Sequence, residues 1–139
     1  MNARFPKAEH LCSRRLIDRL YAKGHRLMAF PFSVQWHAEP GLPVPCQVLI
    51  VAPKRRLHHA VDRNRVKRLT RECYRLNKSL LLPFLDARGL RITLSLVYVH
   101  NQLLDFGQMQ HKMQKLLPLL VADIASHEEN PTPADAAAE

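Results

Sequence analysis

Apolar side chains recur along this 139-residue chain in two rhythms, and the places where the rhythm changes divide it into elements. After an extended lead-in over residues 1–11, Leu16, Ile17, Leu20 and Tyr21 fall at helical spacing. Ser13 before them is a good N-cap and Gly24 after them a natural stop. Met28, Phe30, Phe32, Val34 and Trp36 then alternate with smaller or polar residues, the period-two signature of a strand, and Pro31 pushes that strand to an edge or a bulge. Three prolines and a glycine in residues 39–45 make a turn region, and residues 46–52 read as a buried strand ended by Pro53. The clearest helix covers roughly residues 60–80, where Val66, Leu69, Cys73, Leu76 and Leu80 form one apolar stripe. Pro83 and Gly89 bracket a connection, and residues 90–100 form a long strand rich in β-branched side chains. Asp105 caps a last helix whose apolar positions are Phe106, Met109, Met113, Leu116, Leu117 and Leu120, with Pro118 expected to kink or shorten it. The order is αββαβα, a single-domain α+β sandwich over residues 1–127 without internal repeats. The segment 128–139, rich in Ala, Pro and acids, is expected to be a disordered tail.

Composition narrows the class. Apolar residues make up 47% of the chain, as in a folded domain, and no apolar run approaches the ~20 residues of a membrane span. Residues 1–7 lack a signal-peptide core, so a cytoplasmic location with no membrane partner is expected. Cys12, Cys46 and Cys73 lie far apart without a CxxC spacing, which fits buried, reduced thiols better than disulfides or zinc.

Charge changes the picture most. Lys and Arg number 21 against 12 acids, a net charge of +9, and such an excess calls for a polyanionic partner. It is also concentrated. Between Lys54 and Lys78 stand Lys54, Arg55, Arg56, Arg63, Arg65, Lys67, Arg68, Arg71, Arg75 and Lys78 against only Asp62 and Glu72. A merely solvated helix would carry more acids at i,i+4. Here guanidinium groups recur at one-turn intervals on a helix held by its apolar stripe, where they can fork onto phosphates or stack on bases. Asn64 adds a short amide suited to a base edge, a 2′-hydroxyl or a hydrated metal ion.

The run Ala60-Val61-Asp62-Arg63-Asn64-Arg65-Val66-Lys67-Arg68-Leu69-Thr70-Arg71-Glu72 closely resembles the signature of the bacterial ribonuclease P protein family. The preceding residues 52–59, Ala-Pro-Lys-Arg-Arg-Leu-His-His, resemble that family's basic strand-exit loop, and the element order fits it over roughly residues 8–120. The resemblance implies an αβ sandwich with a left-handed βαβ crossover, against the usual right-handed preference. It implies a protein subunit that binds a catalytic RNA and the 5′ leader of precursor tRNA, one protein per RNA, and assists endonucleolytic removal of the leader. Magnesium would be held mainly by the RNA. Carried onto this chain, RNA binding falls to Lys54, Arg55, Arg56, Arg63, Asn64, Arg65, Lys67, Arg68, Arg71 and Arg75, the helix lying beside a cleft against the central sheet. Ile17, Tyr21 and Phe32 match leader-cleft positions, Ile17 being aliphatic where the family usually carries an aromatic.

Independent catalysis by this chain is not expected. Metal-dependent phosphodiester hydrolysis needs clustered carboxylates, whereas Asp62 and Glu72 would stand roughly 15 Å apart along one helix. His58 and His59 are adjacent in sequence and diverge in direction. The competing reading is a structural RNA-binding protein without a catalytic partner, which explains the charge but does not require the Arg-Asn-Arg spacing. A DNA-binding helix-turn-helix fits least, because strands rather than a helix precede the basic helix.

Overall fold

Chain entry into the first helix is set by Ser13, whose hydroxyl accepts from Leu16 N at 3.3 Å, and α1 runs over Arg14–Lys23. Gly24 ends it for lack of space rather than for unusual backbone. Its φ is an ordinary −68°, but a Cβ there would meet the Leu20 carbonyl oxygen at 2.3 Å. The computed structural model describes residues 5–129, the last two for their backbone alone. After α1 come β1 (His25–Ala29), β2 (Phe32–Ala38), β3 (Cys46–Val51), α2 (Ala60–Asn77), α3 (Leu82–Arg88), β4 (Ile92–Tyr98) and α4 (Phe106–Glu129). The expected tail from residue 128 lies, beyond Glu129, outside the described residues.

Two elements differ from the sequence reading. The single strand expected around Met28–Trp36 is a hairpin, with β1 antiparallel to β2 from His25↔Trp36 to Ala29↔Phe32, and Phe30 and Pro31, joined by a cis peptide, as its turn. A two-residue turn changes which parity faces the core. His25, Leu27 and Ala29 therefore share a face with Phe32, Val34 and Trp36, while Met28 (64% exposed) and Phe30 (51%) point elsewhere. The expected connection at Pro83–Gly89 contains α3, with Pro83 at its start and Gly89, at φ 64°, as its left-handed cap.

The sheet order is β1-β2-β4-β3, with β2 antiparallel and β3 parallel to β4, so α2 and α3 lie in the crossover between the parallel pair. One face carries Phe32, Val34, Trp36, Cys46, Val48, Ile92, Leu94, Leu96 and Tyr98, all in the hydrophobic core. The long helices α2 and α4 seal it. Trp36 Nε1 donates to Asp123 Oδ2 of α4 at 2.8 Å, and burial pushes the Cys46 thiol up to about 12, against the lowering influence of the Tyr74 hydroxyl of α2. Cys46 and Cys73 are buried free thiols, as expected, but Cys12 is exposed in the lead-in to α1.

The buried stripe of α2 is Val66, Thr70, Cys73, Tyr74 and Asn77, while Leu76 and Leu80 are exposed. Thr70 and Asn77 can be buried because both are satisfied. Thr70 Oγ1 donates to Val66 O, and Asn77 Nδ2 donates to Cys73 O and to Gln110 Oε1 of α4, each at 2.7 Å. Asp105 caps α4 reciprocally with Gln108, as a capping box does, and α4 does not stop at Pro118. Pro118 sits on the exposed side, where water can take the freed Gln114 carbonyl, and burial of Leu116, Leu117, Leu120 and Ile124 carries the helix through. Phe106, expected in the core, is 41% exposed in the first turn.

Candidate nucleic-acid interface

The basic side chains between Lys54 and Lys78 fall into two groups. One group is bonded within the protein. Arg63 donates through Nη1 to the carbonyls of Leu57 (3.0 Å) and His58 (2.8 Å), tying the loop 52–59 back onto α2. Arg75 forks onto Glu72 one turn earlier on the same helix, and this hydrogen bond holds the Glu72 carboxyl below its usual range. Lys78 pairs with Glu9 at 3.0 Å, and Arg56 donates to Asn101 Oδ1 at 3.4 Å. These residues position the loop and helix.

The other group points outward. Lys54, Arg55, Asn64, Arg65, Arg68 and Arg71 are exposed and Lys67 is half-buried. Asn64, Arg68 and Arg71 follow at four and three residues, so they form one ridge along α2, with Arg65 beside it and Lys54 and Arg55 at its base. His59 at the head of α2 supplies no side-chain cap, and its carbonyl accepts from Asp62 N and Arg63 N, each at 3.1 Å. A fixed helix presenting guanidinium groups at one-turn steps is suited in geometry and charge to phosphate.

The opposite face of the sheet is built differently. Alternation places Arg26 and Met28 of β1, Ser33, Gln35 and His37 of β2, Thr93, Ser95 and Val97 of β4, and Gln47, Leu49 and Val51 of β3 there. The lead-in is bonded to this face at the β3 margin, where Gln47 Nε2 donates to Ala8 O at 3.0 Å. Its main cover among the described residues is α1, docked through buried Leu20 and a two-point bond from Arg19 Nη1 to both oxygens of Glu39 at 2.8 and 2.9 Å. Burial lowers the His37 pKa beside this pair. Tyr21, 41% exposed, shares a hydrogen bond of 2.8 Å with Ser95 Oγ and so is held against this face, with half-buried Ile17 one turn earlier. Beyond α1 the cross-strand row Met28, Ser33, Val97 and Val51 stays partly open, giving a groove floored by apolar and small polar groups and walled by Tyr21.

Of the three expected cleft residues, the structure brings Ile17 and Tyr21 to this groove. Phe32 does not belong to it. It is fully buried on the other face, edge-on to Tyr98 at 5.7 Å between ring centroids, because the hairpin turn sets its parity. The groove also lies across the sheet from the face that α2 packs on, so the expected cleft between α2 and the sheet is in fact formed with α1. Met28 of β1, Val97 of β4, and Leu49 and Val51 of β3 also face this side of the sheet, and the signal for the last three was the alternation within β4 and β3.

Groove and ridge approach each other at the outer edge of β3, where the lead-in to α1 runs alongside the strand, His10 bridging Val48 and Leu11 N donating to Val48 O at 2.9 Å. A depression of about 120 Å³ there is lined by Cys12, Leu49, Ile50 and Arg71 among others. Ligand pockets of small-molecule enzymes run to ~300–1,000 Å³, so an extended polymer fits this surface better than an enclosed substrate. Among the described residues no group of three or more His, Cys, Asp or Glu side chains could hold a metal ion, and no helix is long and apolar enough to cross a membrane.

Comparison with known proteins agrees with this geometry. The family model for ribonuclease P matches residues 5–120, most of the chain and all of the ridge and groove. The chain belongs to the ribonuclease P protein family. It is 35% identical over 121 residues to the ribonuclease P protein component of Porphyromonas gingivalis strain W83, covering 86% of this chain and 88% of that one. With the Chlorobaculum tepidum ribonuclease P protein component it shares 36% identity over 80 residues, 55% of this chain and 52% of the relative. Its fold matches the RNase P protein of Staphylococcus aureus at a TM-score of 0.66, with 22% identity over 82% of this chain and 96% of that one. The Thermotoga maritima RNase P protein matches at 0.62, with 23% identity over 78% and 94%. The α+β architecture expected from the resemblance is therefore the family's fold.

Proposed function

We propose that this chain is the protein subunit of a ribonuclease P, binding a catalytic RNA through the α2 ridge and the loop 52–59 and holding the 5′ leader of precursor tRNA in the groove beside α1. The observation that carries this reading is the outward group of cations, Arg65, Arg68 and Arg71 with Asn64, on a helix whose Arg63 fixes its own loop. The groove suits a single strand, since Tyr21 offers a ring to a base and the sheet offers small polar groups to the backbone. Hydrolysis belongs to the RNA partner. Among the described residues the carboxylates form no cluster fit for magnesium, and the ion required for phosphodiester cleavage is assigned to the RNA. The protein's own contribution is electrostatic and positional. Its cations lower repulsion where two polyanions meet, and linkage requires that a protein which favours the metal-loaded RNA be favoured by metal in turn. One protein per RNA and a cytoplasmic setting complete the proposal.

The test is cleavage of precursor tRNA by a bacterial ribonuclease P RNA at low magnesium, with and without the protein, beside a protein-only control. Stimulation with the RNA and no cleavage by the protein alone is expected. Tight RNA binding without stimulation would instead leave a structural RNA-binding protein.

A further inference from the structure

The hairpin turn carries an aromatic side chain that the fold does not use. Phe30 is 51% exposed, next to Met28 of β1 at 64%, whereas Phe32, Val34 and Trp36 of β2 are buried on the core face. Its ring meets His100 edge-on at 4.9 Å, and Lys112 of α4 stands 5.7 Å from its centroid. His100 follows β4 and adjoins Asn101, which accepts from Arg56 of the basic loop. Contacts thus run from the loop at the base of the α2 ridge, across the end of β4, to Phe30 and the first turns of α4. Lys115, one turn beyond Lys112, continues the charge. The one acid at the start of α4, Asp105, is bonded to its own helix through Gln108 N.

We infer that this rim is a second single-strand site, in which Phe30 stacks on an unpaired base of the leader while Lys112 and His100 flank its phosphates. The inference rests on the proposed leader groove and extends it. Met28 stands in the row where the groove opens, and Phe30 follows two residues later, roughly 7 Å along the strand direction, a distance one extended nucleotide can span. An exposed ring next to a lysine and an imidazole, without a free carboxylate, is the composition that holds single-stranded nucleic acid through its bases and backbone together. The lysine and imidazole beside the ring, and the continuity with the groove, favour the leader as the occupant.

The experiment compares holoenzymes reconstituted with wild-type protein, Phe30→Ala, Phe30→Tyr and Lys112→Ala. Each is measured for affinity toward one precursor whose leader ends within the groove and one whose leader continues past it. For Phe30→Ala the long-leader precursor should lose at least about fivefold in affinity and the short-leader precursor almost none, with Phe30→Tyr restoring the difference. Lys112→Ala should reduce the same long-leader advantage and its salt dependence. Equal losses on both precursors would place Phe30 against the catalytic RNA or in the protein's own stability, and unchanged affinities would remove the rim from recognition; either result overturns the inference. If Tyr21→Ala also fails to distinguish leader-bearing from mature tRNA, the groove itself is wrong rather than its extension.

Discussion

The two faces of the sheet answer different demands with the same strands. β4 shows this most clearly. Ile92, Leu94, Leu96 and Tyr98 are packed beneath α2 and α4, whereas Thr93, Ser95 and Val97 on the reverse lie under α1 or at its margin. One face is a core closed by two long helices. The other is covered by a single ten-residue helix held at a few points, which leaves room for something else to lie on the sheet. A face with one short cover helix and small polar groups along its central strand suits the recognition role proposed for it, and the rigid core behind it keeps that surface in register.

The sharpest break between the faces should appear in stability. Leu94→Ala should cost about 2–5 kcal/mol in chemical denaturation, because the site lies between two helices and cannot collapse. Ser95→Ala, one residue away, should cost about 1 kcal/mol or less. Similar losses would mean that the second face is as much core as the first. Next in size is the ridge. Arg65→Ala combined with Arg68→Ala should weaken binding to the catalytic RNA by about tenfold or more and lower the salt-dependence slope by about 2, with the thermal midpoint unchanged. Arg63→Ala should instead lower the midpoint as well, since Leu57 O and His58 O lose their donor. For α1, Glu39→Gln should loosen the helix by about 1–2 kcal/mol, discounted because Arg19 is partly exposed, and hydrogen exchange over residues 14–23 reads this directly. The smallest effect concerns the thiols. Burial pushes Cys46 to about 12 and Cys73 to about 11, so at pH 8 a thiol reagent should modify only Cys12 until the protein is unfolded.

Much of this was legible in the sequence because local chemistry and tertiary structure agree. Ser13, Gly24 and Asp105 mark helix ends by capping or by lack of space, and the cation-rich run on α2 announces its own exposed face. What was not legible depended on parity and on satisfied polar groups. Met28, Phe30 and Phe32 keep an apolar rhythm straight across a two-residue turn, so the hairpin was hidden and Phe32 was placed on the wrong face. Thr70 and Asn77 are buried because their side chains bond Val66 O, Cys73 O and Gln110 Oε1, which no apolar stripe foretells. The roles of Arg63 and Arg75 as internal braces were equally hidden, since an arginine spent on a carbonyl or a neighbouring Glu72 reads in sequence like one aimed at phosphate. Pro83 and Gly89 did carry the signature of a short helix between them.

The division of labour between ridge and groove is tested most directly by the affinity of the reconstituted holoenzyme for precursor against mature tRNA, measured with wild-type protein, Tyr21→Ala and Arg68→Ala. Tyr21→Ala should erode the preference for the leader-bearing substrate while assembly with the RNA stays intact. Arg68→Ala should weaken assembly and, once saturated, leave the preference unchanged. If Tyr21→Ala weakens both substrates equally, or if Arg68→Ala alone abolishes the preference, the assignment of the leader to the α1 groove is wrong.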